Sequence, residues 1–241
     1  MNLIELVPKD LNLLIQQAEK CLEFPEIAAI NLPDIIDLPI RIEVGGKALL
    51  EKNIPCLPHF RAIDRTVEEH IKLIQEFIDL GMKECLIISG DNENKKVEKA
   101  STLEVVREIK KAHPGLKVYC GMDQYRTSLS EELTYCEKKL QAGADGFFTQ
   151  PFYDLNLVEF YLKQLQSTTI FLGISPVLSE QNYNWWKNKN KIVFPPEFEK
   201  TYPYHAKLAK SLEEIAESYN QHTYLMPIMA DPIEYLNSVF R

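Results

Sequence analysis

Apolar positions along this chain recur in two alternating rhythms: short runs of strand length, and longer stretches spaced three and four residues apart. Residues 3–7 form the first short run, and residues 10–22 follow as a helix whose Leu11, Leu14, Ile15, Ala18 and Leu22 share one face. Residues 27–30 predict a second strand. Pro33, Pro39 and the Gly45-Gly46 pair then break the pattern before a short helix ending near Lys52. A third strand is predicted over 54–63, disturbed by Pro55 and Pro58. The next helix opens at Thr66, with Glu69 in capping-box spacing, and stops at Gly81. The rhythm continues through strands at 84–89, 117–122, 145–149 and 169–174 and helices at 101–112, 130–142 and 156–165. His113-Pro114-Gly115 and Gly143 close two of those helices. A less regular region holds Trp185, Trp186 and a Phe194-Pro195-Pro196 turn, followed by a helix at 204–219, a strand at 223–229 and a helix at 232–240.

Strict alternation of strands with helices implies parallel pairing, and eight such strands imply closure into a (β/α)8 TIM barrel. A doubly wound open sheet is the alternative, but its usual glycine-rich first turn is absent. With 241 residues, 45% of them hydrophobic, the chain suits one barrel domain over 1–241. No internal repeat or low-complexity tract interrupts it.

Charge narrows the partners. A formal net charge of −8 disfavours nucleic acid or an anionic membrane surface, yet it leaves room for a small anionic ligand held by a local cluster of Lys and Arg. No run approaches the length of a membrane span, and the first residues lack the pattern of a signal peptide. Five scattered cysteines without a Cys-x-x-Cys pair suit a reducing compartment, so a cytoplasmic location is expected.

In such a barrel, chemistry gathers where strands end and the following loops begin. Polar residues at those points are Glu5 on the first strand, His59 and Arg61 on the third, Ser89-Gly90-Asp91 after the fourth, Asp123 to Arg126 after the fifth, and Thr149-Gln150 on the sixth. Each has an ordinary reading: a satisfied core histidine at His59, a turn with a capping aspartate at Gly90-Asp91, a loop-bonding amide at Gln150. An acid inside an apolar strand is harder to dismiss, because burial without a partner costs stability. Co-location at one mouth raises the whole set. A zinc reading of Cys56 and His59 is weak, since residues three apart on a strand point to opposite faces. No strand end carries a Schiff-base lysine, and no phosphate loop exists.

The same residues carry a family resemblance. Ile4-Glu5-Leu6-Val7-Pro8-Lys9 resembles the Phe-Glu-Phe-Phe-Pro-Pro opening of methylenetetrahydrofolate reductases, and the stretch from Pro58 to Thr66 resembles their His-Leu-Thr-x-x-Asp-x-Thr strand. Ile88-Ser89-Gly90-Asp91 is similar to Leu-Arg-Gly-Asp, and Leu172 to Val177 resembles Pro-Gly-Ile-x-Pro. The longest match, Lys138 to Asp154, follows Lys-x-Ala-Gly-Ala-x-x-x-x-Thr-Gln-x-x-Phe-Asp and is the most specific.

The resemblance implies a flavin enzyme that reduces 5,10-methylenetetrahydrofolate to 5-methyltetrahydrofolate, with FAD as cofactor. By motif, Glu5 would be the general acid, Asp91 would contact the pterin and influence the flavin, and Gln150 would orient the folate. His59 and Gly90 would sit beside the flavin, with Arg126 and the face of Glu132, Tyr135, Lys138 and Lys139 near its phosphates. Electrons would come from a nicotinamide or a partner protein, and an oligomer or complex subunit is compatible with it. The departures fall mostly on flavin-handling positions. Met122 to Thr127 replaces Tyr-Pro-Glu-x-His-Pro, Ser89 replaces the Arg before Gly-Asp, and Leu32-Pro33-Asp34 replaces Thr-Tyr-Gly. The alternative is therefore a flavin-less folate-binding relative that serves as a methyl-transfer partner.

Overall fold

The computed structural model describes residues 2–7, 9–90 and 99–241. Its strands are β1 (Asn2–Glu5), β2 (Ile27–Leu32), β3 (Cys56–Arg61), β4 (Glu84–Ile88), β5 (Lys117–Met122), β6 (Gly146–Pro151), β7 (Thr169–Ile174) and β8 (His222–Leu225). They pair in sequence order into one closed barrel, and every pairing is parallel. Closure is made by β1 and β8, where Leu3 pairs with Tyr224 and Ile4 with Leu225. The expected TIM barrel is therefore the fold.

Helices fill the outer layer: α1 (Leu11–Cys21), α2 (Ile42–Glu51), α3 (Val67–Asp79), α4 (Thr102–Ala112), α5 (Leu129–Ala142), α6 (Leu155–Gln164), α7 (Glu180–Lys189), α8 (Tyr202–Ser218) and α9 (Pro232–Phe240). Local chemistry sets their starts. Thr66, Ser101 and Ser128 each accept from the amide three residues on, and Glu69, Glu104 and Glu131 reciprocate, so α3, α4 and α5 all begin with capping boxes. Gly143 ends α5 at φ 111°, a left-handed turn that glycine adopts without steric cost.

Two apolar layers follow from strand alternation. Leu3, Leu57, Leu86, Tyr119, Phe148, Phe171, Tyr224 and Met226 fill the barrel interior, with Phe148 and Phe171 stacked at 4.2 Å between centroids. A larger layer, including Ile4, Phe60, Ile87, Phe147 and Leu172, packs between the strands and the helices.

Two differences from the expectation go beyond a shift of a residue or two at an element's end. Residues 180–189, expected to be less regular, form α7: Ser179 caps it, and Asn182 and Trp186 are its buried positions. Its inward face is aromatic and amide rather than aliphatic, so aliphatic periodicity does not reveal it. The last strand stops at Leu225, because Pro227 has no N–H to extend the ladder.

At Gly146 a Cβ would collide with the Thr169 carbonyl oxygen on β7, whereas at Gly115 nothing lies within 4 Å. Gly146→Ala is expected to lose about 1–3 kcal/mol by overpacking. Gly115→Ala is expected to stay within about 0.5 kcal/mol, and urea denaturation of the two variants checks both.

Candidate active site

Parallel closure brings all eight strand C-termini to one rim, and a cavity of about 1010 Å³ opens there. Its lining includes Glu5, His59, Arg61, Gly90, Arg126, Lys139 and Gln150, contributed by β1, β3, β6, α5 and the loops after β4 and β5. Among the described residues, that lining carries eight Lys and Arg against five Asp and Glu, an excess of positive charge in a chain of net charge −8.

Glu5 ends β1 two residues after the interior-facing Leu3, so its side chain enters the barrel from the wall. No hydrogen bond or ion pair to its carboxyl occurs among the described residues. Burial raises its pKa from 4.5 to about 7, because the charged form loses water without gaining a partner. Across the seam, the Tyr224 hydroxyl donates to the Thr149 carbonyl at 2.5 Å, and a Glu5 carboxylate further disfavours ionisation of that phenol.

His59 is also interior-facing, two residues after Leu57 on β3. Its Nε2 lies 2.8 Å from Asn31 Oδ1 on β2, and burial lowers its pKa to about 3, so the ring is neutral. A neutral imidazole that donates from Nε2 keeps Nδ1 as an acceptor. Asn31 is fully buried, and its Nδ2 has no hydrogen-bond partner.

Gln150 lies on β6 across the mouth. Its backbone carbonyl accepts from Gln124 Nε2 and Thr149 Oγ1, each at 2.8 Å, and its side-chain Oε1 accepts from Asn190 Nδ2 at 3.3 Å. Asn190 is the C-cap of α7, and Trp185, Lys189 and Lys191 join it in the cavity lining. Gly90 turns at φ 91° against Arg61, where a Cβ would meet the guanidinium carbon at 3.0 Å. Asp91, expected to contact the pterin, lies outside the described residues.

The cations of the mouth are largely matched by carboxylates. Arg41 grips the buried Asp34 with two bonds of 2.7 and 3.0 Å and also reaches Asp64, which Arg61 meets at 2.9 Å. Arg65 pairs with Glu43. At the β5–α5 corner, Arg126 meets Glu132 at 2.9 Å, and Lys139 donates to the Gly121 carbonyl at 2.6 Å, 3.8 Å from the same glutamate. The Lys139 ammonium also lies 4.0 Å from the Tyr135 ring centroid, and burial lowers its pKa. Lys138, expected on the same face, is exposed and does not line the cavity. On a helix, positions 132, 135 and 139 align while 138 turns away.

This corner does not fit a flavin diphosphate. Its buried lysine is committed to a carbonyl, a carboxylate and a ring, and its arginine to the same carboxylate.

Comparison with known proteins agrees with the motifs. The methylenetetrahydrofolate reductase family model matches residues 43–222, most of the chain. The chain belongs to that family. Among solved structures, similarity extends to an uncharacterized protein from Clostridium thermocellum that binds two copies of 5-methyl-5,6,7,8-tetrahydrofolic acid. The TM-score is 0.66 at 12% identity, covering 94% of this chain and 88% of that one. A 2,3-dimethylmalate lyase of the PEP mutase/isocitrate lyase superfamily matches with TM-score 0.63 and 9% identity over 95% of this chain and 75% of its own. An oxaloacetate acetylhydrolase matches with TM-score 0.62 and 9% identity over 94% and 74%. At such identities these structures share the fold. Among the described residues of this family member, no helix is long and apolar enough to cross a membrane.

Strand-end polarity pointed to Glu5, His59 and Gln150, and the structure brings all three to one cavity. It sets the buried Asn31 against His59 and adds Tyr224 and the α7 residues to that cavity, none of which that reading singled out. A lone Asn between Ile30 and Leu32 was a signal for the first; nothing local marks α7 as a wall of the mouth.

Because the folded pKa of Glu5 is raised, its stabilising protonation is complete below about 4.5 and is lost as pH rises through about 7. Glu5→Gln removes that penalty. Relative to the wild type, its unfolding free energy is expected to improve by about 1–3 kcal/mol between about pH 5 and pH 8.5. Urea denaturation at both pH values reads the difference.

Proposed function

We propose that this barrel binds a reduced folate at its mouth and that Glu5 exchanges a proton with a nitrogen of the bound ligand. The observation that carries the reading is an unpaired carboxyl facing a cavity that His59 and Gln150 share, where burial pushes its pKa up to about 7. A general acid works best when its pKa lies near the operating pH, and Glu5 reaches that range by burial alone. Family membership supports the folate class, as does a structural neighbour that binds 5-methyltetrahydrofolate. The positive excess of the lining suits a ligand ending in carboxylates.

The mechanism assigned to this chain's own groups is limited to the proton. Protonated Glu5 donates to the bridging nitrogen of a methylene-bridged folate and opens the ring toward an iminium; in reverse, the carboxylate takes the proton back. Gln150, held from outside by Asn190, orients the ligand from the opposite wall. Neutral His59 supplies an acceptor and repels no cation on the ligand.

A second reading, flavin-dependent reduction of methylenetetrahydrofolate with FAD as cofactor and a redox partner as donor, draws support from cavity size. The volume of about 1010 Å³ stands at the upper end of the roughly 300–1,000 Å³ found for single ligands. Because the β5–α5 corner does not fit the diphosphate, the flavin would need other cations, such as Lys191 on the rim.

Calorimetric titration with 5-methyltetrahydrofolate is expected to show saturable binding that survives Glu5→Gln, since the amide keeps shape and hydrogen bonding. Absence of binding to the wild type would overturn the reading. Where turnover of a methylene-bridged folate is measurable, Glu5→Gln is expected to lose about 10²–10⁴-fold, the usual contribution of general acid catalysis. Titration with FAD decides the second reading: saturable quenching of flavin fluorescence supports it, and no quenching at high micromolar concentration removes it.

A further inference from the structure

The buried amide of Asn31 remains without a task in the scheme above. It ends no helix, caps nothing and stands one residue before the end of β2, where an apolar residue would pack at no electrostatic cost. Its Oδ1 is occupied by His59 Nε2 at 2.8 Å, while its Nδ2 is buried and unpaired. A buried donor left without a partner costs about 1–3 kcal/mol. Such an orphan beside a polar barrel mouth is a donor waiting for an acceptor.

Strand register shows where that acceptor comes from. Glu5 pairs with Asn31 across β1 and β2, and neighbouring strands run about 4.8 Å apart. Both side chains follow interior-facing residues by two positions, Leu3 and Ala29, so they enter the barrel side by side. We propose that Asn31 is the positioning residue of the proton-exchanging site: its Oδ1 holds His59 in the Nε2–H tautomer, and its Nδ2 receives the Glu5 carboxylate once the proton has left. The step balances within the site. The O–H bond of Glu5 breaks, an N–H bond forms on the ligand, and the carboxylate meets the Asn31 N–H by side-chain rotation. Charge on Glu5 is felt by the Tyr224 phenol on β8; on β3, the neutral His59 ring lines the same cavity, and the Arg61 guanidinium there pairs with Asp64.

The assignment of a role to Glu5 in turnover rests on the proposed function, but the Asn31 contact is testable without ligand. Full-length protein labelled with ¹⁵N-histidine and ¹³C-glutamate is titrated by NMR in the absence of folate. Wild-type His59 is expected as the Nε2–H tautomer throughout the neutral range. In Asn31→Leu the tautomer preference should relax, and the Glu5 midpoint should rise by about one unit, a tenfold change, because the charged form has lost its donor. Asn31→Ser, which restores a short donor, should recover part of that shift. A wild-type Nδ1–H tautomer would overturn the proposal, and that measurement stands even where Asn31→Leu does not fold. So would a Glu5 midpoint unchanged or lowered in a folded Asn31→Leu or an equally folded Asn31→Ala. Failure of folate binding with these NMR results intact would sink the proposed function and leave the Asn31 contact standing.

Discussion

The pairing of β1 with β8 is the contact on which the site depends. Leu3 with Tyr224 and Ile4 with Leu225 close the ring, and only a closed ring places residue 5 and residue 150 around one opening. The strand that closes it is four residues long and ends in a carboxyl. Closure also removes free strand edges, so a polar side chain entering the interior has little access to solvent except through the mouth. That confinement gives Glu5 its raised pKa and His59 its neutrality from one cause, desolvation in a barrel filled below by Leu3, Leu57, Phe148 and Phe171.

Around that apolar floor the protein treats its other charges differently. Arg41, Arg61, Arg65, Arg126 and Lys139 are matched to Asp34, Asp64, Glu43 and Glu132, so the walls are held by ion pairs whose members are partly or wholly buried. Removing one member of such a pair leaves an uncompensated charge, which makes these groups costly to change and poorly suited to receive a new anion. Glu5, by contrast, has neither an ion pair nor a hydrogen bond to its carboxyl among the described residues. The contrast divides the mouth into a rim braced by ion pairs and a centre where the Glu5 carboxyl stands unpaired among the described residues.

The motifs that identify the family are short and lie at strand ends, where loop and barrel geometry leave few alternatives. The stretch from Lys138 to Asp154 combines a helix end at Gly143, a strand with a close approach at Gly146 and the Thr149-Gln150 pair. Each of these is a backbone or rim requirement that a sequence can display directly. Lys138 and Lys139 show the limit of the same evidence: adjacent and chemically alike, they differ by one step of helix rotation, which leaves one in solvent and the other buried beneath β5.

What the sequence determined by itself was local: strand and helix periods, the capping box at Thr66, and polar side chains at the ends of apolar runs. From those the barrel follows, because alternating strands and helices have few ways to bury their apolar faces. The tertiary structure alone decided which distant groups meet. Asn31 gains its meaning from His59 and from its register with Glu5, and Gln150 is held by Asn190 at the end of a helix with no aliphatic stripe to announce it. Periodicity is written within a few neighbouring residues, whereas a hydrogen-bond partner forty residues away is chosen by strand order and closure, which no local pattern records.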